Sequence, residues 1–134
     1  MESLIYVGLG GFLGANARYL LTIWADGLMQ ARWGVFPFGT LVVNLLGSIG
    51  LALFATWFAA RTGLSPQLRL LVGAGFFGAF TTFSTFANES FSLWKSQGIT
   101  AFLLNVVLNN GLCLAGVVLG ILCGQRLFAS AQSL

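Results

Sequence analysis

The chain has 134 residues, 57% of them apolar and only 7% charged, with a mean hydropathy of +0.92. A soluble domain carries about a quarter charged residues, so six basic and three acidic side chains cannot solvate this surface, and lipid must cover most of it. A scattered net charge of +3 excludes the basic patch that nucleic-acid binding needs, and the absence of histidine removes the commonest general base and transition-metal ligand.

Charges punctuate the sequence, with none in residues 3–17, 33–60, 70–88 or 96–125. A spanning helix needs about 20 largely apolar residues. The pattern predicts an all-α membrane domain over 1–134, with four transmembrane helices at 4–24, 39–60, 68–94 and 99–125. The start, Met1-Glu2-Ser3-Leu4-Ile5, lacks the positive segment of a signal peptide, so the first helix is expected to be retained. Within it, Gly10 with Gly14 and Gly11 with Ala15 repeat at four residues, a spacing that lets helices approach closely in lipid. Arg18 sits near its end.

Asp26 to Pro37 reads as the longest connection, with Asp26-Gly27 and Gly34 as turn material. Pro37 suits the entrance to the second helix, where a missing N–H costs little. That helix carries Thr40, Asn44 and Ser48 at a spacing of four. Ser65-Pro66 reads as N-cap and first helical residue of the third.

The third helix is the unusual one. Phe76-Phe77-Gly78-Ala79-Phe80-Thr81-Thr82-Phe83-Ser84-Thr85-Phe86 crowds five aromatics, two small residues and four hydroxyls, and Glu89 follows. Gly73, Gly75 and Gly78 weaken the helix, and hydroxyls compete for its backbone groups. A helix broken near mid-membrane is predicted, of the kind that binds ions. Phe83 and Phe86 share a face, while Thr82, Thr85 and Glu89 form a polar stripe that Ser84 adjoins. A phenyl ring has an electropositive edge, so the pair can stabilise an anion without a full positive charge.

Lys95-Ser96-Gln97-Gly98 is a short joint before the fourth helix, which carries Asn105, Asn109 and Cys113 at a spacing of four. These stripes either glue helices together or line a hydrated path. Gly116, Gly120 and Gly124 predict close packing. Cys123 reads as a small buried side chain, and neither a zinc site nor a disulfide within the helix is expected. No Ser, His and Asp set exists for hydrolysis, and no enzyme is expected. With four spans both termini share a side. Arg61, Arg69 and Arg126 then face Arg18, Arg32 and Lys95 across the membrane, a balance that permits insertion both ways up.

Taken together, these motifs resemble those of the Fluc family of small bacterial fluoride channels, also called CrcB. Gly10-Gly11, Gly14-Ala15 and Arg18-Tyr19 resemble its first-helix signature, Gly39-Thr40-Leu41-Val42-Val43-Asn44-Leu45 its second, and Thr81-Thr82-Phe83-Ser84-Thr85-Phe86 its third. The resemblance implies an antiparallel, dual-topology homodimer in the bacterial plasma membrane with two fluoride pores. It also implies a central structural sodium ion held by the carbonyls of Gly78 and Thr81. Phe83 and Phe86 match the pore phenylalanines, and Asn44 the pore asparagine. Ser84, Thr85 and Glu89 match the polar track, and Arg18 matches an arginine near an aqueous vestibule. Thr40, Asn109 and Cys113 join them as candidates. Cys113 stands where many relatives have serine, and a thiol is the weaker donor. Ala79 and Val117 depart from a glycine and a threonine. The function implied is passive fluoride export, which relieves the toxicity of fluoride that enters as uncharged HF. The competing readings are a small multidrug/proton antiporter, disfavoured by a first helix without an acid, Glu2 lying at its extreme start, and by the late position of Glu89 in the third, and a non-transporting assembly subunit.

Overall fold

The computed structural model describes residues 1–128, with Arg32 and Trp33 described by their backbone alone. Residues 129–134 of the predicted domain, and the Arg32 side chain counted for topology, lie outside the described set. Helix α1 spans Glu2–Trp33 and α2 spans Phe38–Ala59. The third span is divided: α3 covers residues 66–80, α4 covers Phe83–Gln97, and Thr81 and Thr82 between them are extended. Helix α5 spans Ile99–Phe128. Four segments, Glu2–Ala31, Phe38–Ala59, Pro66–Gln97 and Ile99–Phe128, are long and apolar enough to cross a membrane. The chain is a multi-pass membrane protein.

The helix ends show local chemistry at work. Ser65 caps α3, its hydroxyl accepting from Leu68 N at 3.3 Å, with Pro66 in the first turn as expected. Pro37 opens α2. Gly34, Gly63 and Gly98 hold positive φ at the three connections, a region open to glycine without steric cost. The first helix ends nine residues later than predicted. Asp26-Gly27 is helical, because the Asp26 carboxylate is occupied elsewhere: its Oδ1 accepts from Gly39 N at 2.8 Å. Asp26 therefore satisfies one of the free N–H groups at the start of α2. The fourth helix likewise runs three residues past its predicted end, and α4 continues to Gln97, leaving Gly98 alone as the joint.

Helix α2 packs along α5, and α1 packs along α3. Glycines make both contacts. On α5, a Cβ at Gly120 would lie 2.7 Å from Ile49 O, and one at Gly124 would lie 2.8 Å from Thr56 Cβ. On α1, a Cβ at Gly10 would strike the Leu71 carbonyl oxygen, and one at Gly14 the Phe76 carbonyl oxygen. Backbone thus meets backbone, which only glycine allows. Opposite Gly10, residues Arg69–Phe77 of α3 are π-helical, a wider coil that tends to mark functional sites.

Burial runs opposite to that of a soluble protein. The largest fully buried side chains are Val43, Asn105, Thr40 and Ser90, and three of these four are polar. Leucines and phenylalanines such as Leu4, Phe12 and Leu20 stand exposed along α1. In lipid apolar surface incurs no hydrophobic penalty, while polar groups must find partners inside.

Candidate functional site

The break at Thr81–Thr82 organises the site. Phe80 is the last helical residue of α3, and Thr81 stays tied to it by two bonds, its N–H and its hydroxyl both donating to Phe77 O at 3.1 Å. In an unbroken helix the Thr82 N–H would close on Gly78. Here it donates instead to Asn44 Oδ1 at 2.8 Å, and Asn44 Nδ2 returns a bond to Thr82 O at 3.2 Å. The Asn44 carboxamide on α2 therefore pairs with both polar groups of Thr82, as a neighbouring strand would. Thr82 then caps α4. Its Oγ1 accepts from Thr85 N at 3.2 Å and donates to Thr85 Oγ1 at 2.9 Å, with Ser84 Oγ at 3.5 Å. Because Thr85 Oγ1 accepts this bond, its own hydroxyl proton remains free.

From Asn44 a chain of hydrogen bonds crosses to α5 and returns to α4. Asn44 Nδ2 donates to Asn109 Oδ1 at 3.0 Å, Asn109 Nδ2 to Asn105 Oδ1 at 3.2 Å, and Asn105 Nδ2 to Ser90 Oγ at 2.9 Å. Ser90 Oγ in turn donates to Phe86 O at 2.7 Å. The stripe on α5 joins helices in this way and also reaches the groove described next.

Asn44, Phe83, Phe86, Asn109 and Cys113 line one groove of about 830 Å³ between α2, the break and α5. Phe83 is 75% exposed and Phe86 only 7%. Their rings meet edge to face, with centroids 5.5 Å apart and planes at 60°. Thr81 lines it too, whereas the other predicted residues lie around this groove rather than in its wall. Ser84 and Thr85 belong to the exposed hydroxyl cluster at the start of α4. Thr40 on α2 lies beside Glu89 on α4; Thr40 Oγ1 and Glu89 Oε2 are both buried without a hydrogen-bond partner. Arg18 is half-buried on α1. Gly78 faces open space, with nothing within 4 Å of a would-be Cβ.

Sequence reasoning missed three participants. Thr82 is the residue that Asn44 holds, and its hydroxyl had been read only as part of a stripe. Ser90 and Asp26 act through bonds to other helices, which spacing does not reveal. Cys123, expected to be buried, is exposed, because Gly120 and Gly124 occupy the face of α5 that meets α2. Among the described residues no cluster of His, Cys, Asp and Glu is arranged to hold a metal ion.

The family model for CrcB-like protein, Camphor Resistance (CrcB), matches residues 5–121. A protein of Shewanella halifaxensis named as a fluoride-specific ion channel is 43% identical over 122 residues, covering 90% of this chain and 94% of the relative. Proteins of the same name from Shewanella sp. strain ANA-3 and Shewanella baltica strain OS185 are each 44% identical over 120 residues, with the same coverage. With a match of this extent, the chain belongs to the CrcB family, a family of ion channels and not of enzymes.

Proposed function

We propose that this chain is a fluoride-selective channel of the bacterial plasma membrane that lets fluoride leave the cell passively, down its electrochemical gradient. The observation that carries the reading is the grouping of the Phe83 and Phe86 rings with the Asn44 and Asn109 carboxamides along one groove, with the Thr85 hydroxyl at its edge. It is joined by the name that its relatives bear.

Fluoride is small and strongly hydrated, so a path for it must replace water with close donors. Thr85 has an uncommitted hydroxyl proton, Ser84 stands beside it, and Asn109 keeps one amide proton free after donating to Asn105. Ring edges of Phe83 and Phe86 add electropositive contacts without a fixed charge that would trap the ion. Asn44 lines the path, but both its amide protons are engaged, so its first task is to hold Thr82. Thr40, Glu89 and Cys113 extend the polar route, and Arg18 attracts anions toward its mouth.

The functional unit in this reading is an antiparallel, dual-topology homodimer with two pores. In this reading the carbonyls of Gly78 and Thr81 would hold a structural sodium ion. The residues present fit such an ion. The two N–H groups that would satisfy Gly78 O and Thr81 O in a continuous helix belong to Thr82 and Thr85, and both are diverted, to Asn44 Oδ1 and Thr82 Oγ1. The freed carbonyls are hard oxygen donors suited to a hard cation. Each chain offers two, so a second copy completes the set. Bound there, the ion would supply a positive charge. Replacing sodium by an organic cation should weaken the dimer in detergent; a dimer indifferent to sodium would rule the ion out.

Fluoride efflux from liposomes containing only the purified protein tests the function. Flux well above that of protein-free vesicles, with little chloride flux, is expected. Absence of fluoride flux, or exchange of cationic drugs for protons in the same vesicles, would overturn the reading.

A further inference from the structure

The direction of every hydrogen bond in the asparagine chain is fixed at both ends, by the Thr82 peptide, whose N–H can only donate and whose C=O can only accept, and by the Ser90 hydroxyl. Ser90 Oγ has one proton and gives it to Phe86 O at 2.7 Å, so toward Asn105 it can only accept. Asn105 must therefore turn its Nδ2 to Ser90, which leaves Oδ1 to accept from Asn109 Nδ2. Asn109 then presents Oδ1 to Asn44 Nδ2, and Asn44 presents Oδ1 to Thr82 N. A carboxamide flipped anywhere in this series would place two donors or two acceptors face to face. Asn105 is 0% exposed and Ser90 2%, so no solvent is present to repair a mismatch.

We propose that Ser90 and Asn105 are positioning residues of the ion path: from outside the groove they anchor the buried end of the chain and hold the Asn109 carboxamide in the orientation that Asn44 and the Thr82 peptide require at the other end. One consequence falls on the groove itself. Asn109 lines it and, with one amide proton given to Asn105, keeps the other uncommitted. Loss of the Ser90 acceptor would leave Asn105 Nδ2 unpaired in the buried interior and loosen the Asn109 carboxamide that it holds. Neither Ser90 nor Asn105 lines the groove. The inference rests on the proposed fluoride conduction, and wild-type flux is the control that separates the two: if wild-type protein passes no fluoride, the functional reading itself fails.

The test uses Ser90→Ala, Ser90→Thr and Ser90→Val in the full chain. Threonine and valine have nearly the same shape and differ in one hydroxyl. Fluoride efflux and the fluoride-to-chloride flux ratio are measured in liposomes, with folding checked by thermal unfolding in detergent. Ser90→Thr should stay within twofold of wild type in both rate and ratio. Ser90→Val and Ser90→Ala should fold, yet conduct fluoride about tenfold more slowly with a lower ratio. Equal rates and ratios in folded Thr and Val variants would overturn the proposal. So would loss of folded protein in both Ala and Val variants, which would make Ser90 a folding residue only.

Discussion

Two phenylalanines three residues apart have unequal duties. Phe83 is 75% exposed and contributes little to packing within its own chain, whereas Phe86 is 7% exposed and belongs to the core. Isoleucine keeps apolar bulk and deletes the electropositive edge. Phe83→Ile should melt within a degree or two of wild type and pass fluoride roughly tenfold more slowly, the effect of about 1.4 kcal/mol on a rate-limiting barrier. Phe86→Ile should slow flux and also lose stability, by about 1 kcal/mol, because a buried ring is being replaced by a different shape. Wild-type flux from both folded variants would reduce the rings to space-filling. Their three-residue spacing was legible in the sequence, but the division of labour was not, since exposure depends on where α5 runs.

Single elements are fixed by contacts that leave different marks in the sequence. Gly10 and Gly111 are both helical glycines, yet only Gly10 meets the backbone of another helix. Gly10→Ala should destabilise by about 3 kcal/mol or more through overpacking. Gly111→Ala, with nothing within 4 Å of the new methyl, should be neutral or stabilising by up to about 1 kcal/mol. Detergent melts of the two variants decide it, and equal melting temperatures would contradict the contact. Asp26 offers a second case. Asp26→Ala should cost about 1 kcal/mol by uncapping α2, and Asp26→Asn, which retains the acceptor, should recover most of it.

These elements also show why some of the fold was readable and some was not. Gaps between charges marked the four spans, because lipid tolerates few charges anywhere along a helix. The end of α1 was misplaced because Asp26-Gly27 resembles a turn to any local rule. Only its bond to Gly39, thirteen residues away, reveals a helix that continues. The glycines and hydroxyls of the third span announced a break. Its location at Thr81–Thr82 is set by Asn44, on another helix. The asparagine stripe on α5 was visible as a spacing, but its polarity is set on the third span, at Thr82 and Ser90.

For the whole molecule, near-equal Lys and Arg counts on the two sides lead to the proposal that the chain enters the membrane in both orientations. C-terminal reporters active only on the outside, and others active only in the cytoplasm, should both give signal. A population with one orientation would remove the antiparallel dimer from consideration. Exposed side chains along α1 and the groove-lining face of α5 would then need lipid alone as their neighbour.

The pairing of Thr82 with Asn44 carries a consequence for how the chain is made. Synthesis delivers α2 to the bilayer before the third span emerges, so the acceptor and donor that mend the break are already waiting. Without them, the N–H and C=O of Thr82 would face hydrocarbon, at several kcal/mol for each unsatisfied group. The third span should therefore insert poorly as an isolated segment and efficiently when α2 precedes it, with Asn44→Leu abolishing that help. Glycosylation-tagged segments in microsomes would report it, and equal insertion with and without α2 would refute it. Helix order along the gene then becomes part of the folding pathway: a helper synthesised too late would leave its client stranded in lipid.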